Sequence, residues 1–330
     1  MRDIDEVLRS MNPVRTGRPA DRSGLNEILS GGRNAGTARR VHTRRRWGWA
    51  VTAAAVTAGV VGYTVVDPFG VTAQPALAVT PAPLRTQPSD RSAADVLEEI
   101  AGRVSGLTDT RPTPWKTEHF VSDDWALWTR VGNIQVTSAV IPERRETWEK
   151  PDGSSRWNMT TLAPRFQNQR QRTVWEEAGS VGEEPVRSSG ASGPGSGSTA
   201  EPPSTVEGMR AWLADGQDMG PGLLYEVLPE RFQDHVFSPA QRAAVLRVLA
   251  STRGVVYAGT VKDRAGRSGE AFSLTGRFGG LPNKRTLVFD PRTGDLLASE
   301  EQLLDDAGKL NARPRSVIQY STFRTAERLP

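Results

Sequence analysis

An α+β fold carried on a membrane segment is what this sequence predicts, and three features predict it. An uncharged run of 20 residues lies at Trp47–Val66. Two sets of short aromatic and β-branched segments follow, at 115–175 and 254–323. Helical patterns with N-cap signals lie before and between those sets. The order helix, strands, helices, strands points to one antiparallel sheet with helices packed on one face. The expected organisation is a basic cytoplasmic helical arm at 1–46, one transmembrane helix at 47–66 and a Pro-rich stalk at 67–90. An extracytoplasmic domain at 91–330 completes it, with a flexible Gly/Ser/Pro loop at 178–204.

The arm begins with Ile4, Val7, Leu8 and Met11, spaced as one face of an amphipathic helix. Asp3, Asp5 and Glu6 suit the start of such a helix, and Pro13 ends it. Leu25, Ile28 and Leu29 form a second short patch before Gly31 and Gly32. Each apolar face is too small to make a core. Two readings stay open: docking of Ile4, Val7, Leu8 and Met11 in a partner's groove, or a membrane-surface helix held by arginines. Residues 1–46 hold 11 Arg and five acidic residues, whereas 47–330 hold 31 basic and 33 acidic residues. The positive charge is therefore local to the arm. A near-neutral main domain argues against nucleic acid as a partner.

The run Trp47–Val66 has the length of a helix that crosses a hydrocarbon core. Trp47, Trp49 and Tyr63 sit near its ends, where amphipathic rings favour the interface. Six arginines lie in the 20 residues before it and only Arg85 in the 20 after it. That asymmetry places the N-terminus in the cytoplasm. Ala76-Leu77-Ala78 also has the small-x-small form of a signal-peptide site. The long apolar run and the 46 residues before it favour an anchor over cleavage.

In the main domain, Ser92-x-x-Asp95 opens a helix over 92–104. From Trp115 the pattern turns to strands: WKTEHFVS, DWALWTRV, IQVTSAVI, RRETWEK, RWNMTTLA and RTVWEE. Pro151-Asp152-Gly153 marks a turn between two of them, and Asp123-Asp124 reads as another. Ser204-x-x-Glu207 opens a helix, Leu223–Phe232 supplies a second, and Ser238-Pro239-x-Gln241 caps a third. Strands follow at 254–262, 269–277, 284–290 and 295–302, with a last one at 317–323.

Several of these motifs together resemble an uncharacterised family of single-pass membrane proteins from high-GC Gram-positive bacteria, often encoded beside extracytoplasmic-function sigma factors. They are Asp3-Ile4-Asp5-Glu6-Val7-Leu8, the Arg run before the apolar segment, and Arg145-Glu146-Thr147-Trp148 through Pro151-Asp152-Gly153. The Ser238-Pro239 helix before Gly254-Val255, and Phe289 through Leu297, complete the set. By element order alone the outer domain is similar to the half-barrel of lipoprotein carriers and of periplasmic anti-sigma regulators. That likeness implies a curved, half-barrel-like sheet.

No cysteine is present, which excludes a disulfide scaffold, a thiolate zinc site and a Cys nucleophile. His42, His119 and His235 are far apart, and no metal site is expected. No Gly-x-Ser-x-Gly, His-Glu-x-x-His or Ser-x-x-Lys motif occurs, so no catalytic residue and no cofactor is expected. Six of the nine Trp fall in the first strand set. They build the sheet core, or else Trp115, Trp128, Trp148 and Trp157 line a pocket for lipid or another hydrophobic ligand. The expectation is a non-enzymatic, membrane-anchored envelope protein at the cell membrane. Its outer domain senses a ligand or partner, and its arm contacts a cytoplasmic protein such as a sigma factor. The alternative is a tethered lipid carrier or envelope chaperone.

Overall fold

The structure of the protein is a computed structural model that describes residues 80–131, 136–164, 166, 169–177, 185–196, 200–307 and 312–330. The described elements, in chain order, begin with β1 (Thr86–Gln87), α1 (Ala93–Ser105), β2 (Thr117–Val131) and β3 (Val136–Glu149). Next come β4 (Ser155–Thr161), α2 (Gln169–Glu177), β5 (Val186–Ser192), α3 (Val206–Ala214), α4 (Pro221–Asp234) and α5 (Pro239–Ala250). Then follow β6 (Val256–Lys262), β7 (Ser268–Phe278), β8 (Leu281–Phe289), β9 (Leu296–Leu303) and β10 (Val317–Leu329). All ten strands join one antiparallel sheet in the order β1-β6-β7-β8-β9-β10-β2-β3-β4-β5. The last strand of the chain therefore lies inside the sheet, with β9 on one side and β2 on the other.

Local sequence accounts for the helix starts. The Ser92 hydroxyl accepts from the Asp95 N–H at the head of α1. Ser238 and Gln241 form a reciprocal capping box at α5, with bonds of 3.1 and 2.7 Å. Thr205, rather than Ser204, caps α3. α5 buries Ala243, Ala244, Val245, Leu246, Val248 and Leu249, so it is apolar almost all round and sits inside the core. It packs against α1 and α3.

The main core lies between the helices and one sheet face. Leu97, Ile100, Leu228 and Leu246 meet Phe272, Leu287, Phe289 and Phe323 there. Each such side chain contributes about 1.5–3 kcal/mol by leaving water. Side chains alternate along a strand, and Phe323 pairs with Ser122. Phe120, Ser122, Asp124 and Ala126 therefore share the helix side of β2. α2 covers the same side of β3, where Trp175 packs on Ala139 and Ile141.

A second core lies on the opposite face and includes Val261, Ala271, Val288 and Tyr320, with Trp125 against it. Residues 80–88 run over this face. Leu84 packs on it, and the Leu84 N–H donates to Glu300. Arg264 pairs with Glu300 at 2.7 Å, donates to the Ala82 carbonyl and lies over the Tyr320 ring. The Thr86–Gln87 strand then pairs with β6. Gly259 permits this close pairing. Its φ is 100°, and a Cβ there would lie 1.7 Å from the Gln87 carbonyl oxygen.

The expected fold class is corrected by this architecture. The sequence suggested a half-barrel-like α+β domain with a cytoplasmic helical arm and one transmembrane helix. The described residues instead form one open ten-stranded antiparallel sheet with edges at β1 and β5, accompanied by five helices. No helix among them is long and apolar enough to cross a membrane. The longest, α4, has 14 residues, and at 1.5 Å per residue it falls short of a roughly 30 Å hydrocarbon core. Residues 1–79, with the arm and the 47–66 run, lie outside the described residues. Helical caps are strong local signals, whereas short or polar edge strands give weak ones, so neither β1 nor β5 was expected.

Gly259→Ala is expected to displace residues 80–88 and to destabilise the domain by about 2 kcal/mol or more. Urea unfolding measures the loss, and faster tryptic cleavage at Arg85 reports the displaced segment.

Candidate functional site

The face of β10, β2, β3 and β4 that is helix-free among the described residues carries an aligned cross-strand row. Glu327 pairs with His119, His119 with Trp148, and Trp148 with Arg156. Directly opposed residues of antiparallel strands share a face at close range. The row is mutually fixed. His119 Nδ1 lies 3.1 Å from Glu327 Oε1, and Nε2 lies 3.0 Å from Glu146 Oε1. The imidazole stacks on Trp148 with centroids 5.2 Å apart and planes 16° apart. The Arg156 guanidinium lies 4.1 Å from the same indole. Next to the row, Arg144 grips Asp123 through a two-pronged contact of 2.6 and 2.9 Å. Arg324 approaches the same carboxylate at 3.8 Å.

Behind the sheet, on the helix side, is a buried polar group. Asp124 and Glu143 are cross-strand partners, 4% and 6% exposed. Ser122 Oγ donates to Asp124 Oδ2 at 2.6 Å, and Thr161 Oγ1 reaches Glu143 at 3.4 Å. Burial pushes both carboxyls above the usual range, against the pull of Arg145. Asp124 Oδ1 has no hydrogen-bond partner among the described residues. A cleft beside this group is lined by Phe120, Ser122, Arg145, Phe232 and Phe323. It measures about 10 Å³, room for one water. Among the described residues the Ser122 hydroxyl is engaged by Asp124, and no histidine is hydrogen-bonded to it. No group of three or more His, Asp or Glu among the described residues could hold a metal ion.

A third cluster gathers at the far ends of β2 and β3. Glu118 and Arg328 form a buried ion pair at 2.7 Å, with side chains 5% and 7% exposed. Arg328 also holds Glu201 at 2.9 Å. Opposite Glu118, the Glu149 carboxyl is pushed up to about 8, first by burial and then by Asp234 and Glu118.

Ile4, Val7, Leu8 and Met11 lie outside the described residues. Trp128 is placed in β2 opposite Ala139, but its side chain is outside the described set. Trp115, Trp148 and Trp157 do not converge on one pocket. Trp115 lies under Arg328. Trp148 lies in the open-face row. Trp157 is opposite Thr147 and so faces the other way, beneath Gly190. His235 is the C-cap of α4 and meets the Trp212 ring edge-on. His119, Glu146, Arg156 and Glu327 were not singled out for a site by the sequence. Their spacing carries no signal, because the row forms only when four strands come into register.

Glu149 generates a pH prediction. Its folded-state carboxyl titrates near 8, far above an unfolded one near 4.5. Between those values the unfolded chain releases a proton that the folded chain keeps, so stability falls as pH rises. Glu149→Gln should raise stability at pH 8 by about 1–3 kcal/mol and flatten that slope. Denaturant titrations at pH 5 and pH 8 measure both effects.

No protein-family model matches this chain, and no curated protein matches it.

Proposed function

We propose that the chain is a non-enzymatic signalling protein whose sheet domain recognises a protein partner on its helix-free face. The observation that carries this reading is the row Glu327–His119–Trp148–Arg156. Trp and Arg are the side chains most often responsible for binding energy at protein interfaces. Here they are held in place by neighbours before any partner arrives, so docking costs little side-chain entropy. Asp123, Arg144 and Glu146 add fixed charges of both signs around them. Strands are rigid supports, which suits a surface that must keep one shape.

Both sides of Trp148 are occupied along the row, by His119 and by Arg156. It therefore offers an edge to a protein surface rather than a free platform for a small ligand. The carrier reading has less support. The aromatic cleft is the size of one water, far below the roughly 300–1,000 Å³ of ligand pockets.

In the same proposal the arm, through Ile4, Val7, Leu8 and Met11, contacts a cytoplasmic regulator such as a sigma factor. Location at the cell membrane, with the domain outside, is supported by the arginine asymmetry around residues 47–66.

The test compares transcription in cells carrying the full-length chain, its 1–46 deletion, and the double variant Trp148→Ala, Arg156→Glu. Both changes are expected to remove the same transcriptional response, by about tenfold or more for the double variant. The thermal midpoint of the double variant should stay within a few degrees. An unchanged response with either variant contradicts the proposal.

A further inference from the structure

We infer that a second copy of this chain docks on the edge of β5 that no described strand covers, pairing antiparallel about Ser189. The inference is independent of the partner-recognition reading and rests on a different part of the sheet.

The two edges of the sheet are unlike. At one end β1 is only two residues long, and the chain beside it is pinned by Gly259 and Arg264. At the other end β5 presents seven residues in unbroken register with β4. Among the described residues no strand pairs with its outer side. A strand edge carries a row of unpaired backbone donors and acceptors, and proteins usually blunt it with Pro, a bulge or several charges. β5 has no Pro, no register shift and one charge, Arg187. It is also a firm template. Gly190 lies so close to Trp157 that a Cβ there would meet the indole at 2.6 Å.

The occupant follows from the strand's own sequence, VRSSGAS. A two-fold axis at Ser189 is the one antiparallel centre that pairs all seven residues. It sets Val186 against Ser192, Arg187 against Ala191 and Ser188 against Gly190. No charge then meets its like, whereas a centre at Arg187 would oppose two guanidiniums. The central residues are Ser, Gly and Ala, which let a neighbouring strand approach closely. Arg187, Ser189 and Ala191 are exposed, as an edge available to a second copy requires. The result is an isologous interface that extends one sheet into two. Seven paired residues fall below the usual size of a permanent interface, so the association should depend on concentration.

The chain has no cysteine, so Ser189→Cys gives the full-length protein a single thiol. Pairing about Ser189 brings the two Cβ atoms to about 4.5–5.5 Å, near disulfide range. Under mild oxidation Ser189→Cys should form a covalent dimer at least about tenfold faster than Ser105→Cys, an exposed control on α1. Equal rates, or no dimer from Ser189→Cys, overturn the inference. A second measurement uses Ser189→Lys and Ser189→Asp, which place like charges together at the axis. Each alone should sediment as a weaker dimer than the parent, and the equimolar mixture should recover the parent's association. A mixture that behaves like either variant alone also overturns it.

Discussion

The pairing of β10 with both β9 and β2 is the constraint on which this structure depends. Residues 117–192 supply β2 to β5, and residues 256–303 supply β6 to β9. Neither set touches the other in the sheet until the last 13-residue strand enters between them. That strand then serves every layer. Phe323 enters the helix-side core, and Tyr320 enters the opposite core under Arg264. Arg328 neutralises the buried Glu118. Removing one partner of such a pair costs about 3–5 kcal/mol, because a charge is left stranded. Folding must therefore close the longest loops of the chain before the sheet is whole, which favours slow, cooperative assembly.

The same pairing shapes the surface. β10 brings Glu327 beside His119, and β3 and β4 continue the row through Trp148 to Arg156. On one sheet face helices pack over β2, β3 and β6 to β10. On the other, residues 80–88 cover the part around Tyr320 and Glu300. Among the described residues, an accessible, charged part of that face falls on β2, β3 and β4, where the row stands. The proposed recognition and the proposed edge pairing use separate places: the row lies on the sheet's face, and β5 offers its rim.

Much of the C-terminal half was legible in the sequence. The strands from 254 to 302 and the helix after Ser238 follow from clear alternation, Gly-containing turns and a capping box. The first half was harder. Asp123-Asp124 read as a turn, yet it lies in the middle of the 15-residue β2. Its two carboxylates point to opposite faces, where Arg144 holds one and Ser122 the other. The segment around Trp175 read as a strand but is α2, because its aromatic ring is drawn onto Ala139 and Ile141. β5 hid inside a Gly/Ser/Pro-rich stretch, since an edge strand needs no apolar alternation. Strand order was beyond reach of local pattern. Nothing in VIQYSTF announces that it will lie between β9 and β2.

Native-state hydrogen exchange on the full-length chain tests the central claim most directly. If β10 fuses the two strand sets, amides of β2, β9 and β10 exchange with one common free energy, equal to that of global unfolding. If β2 to β5 instead open at a lower free energy while β6 to β10 stay protected, the sheet is two units. The account of β10 as its central constraint is then wrong.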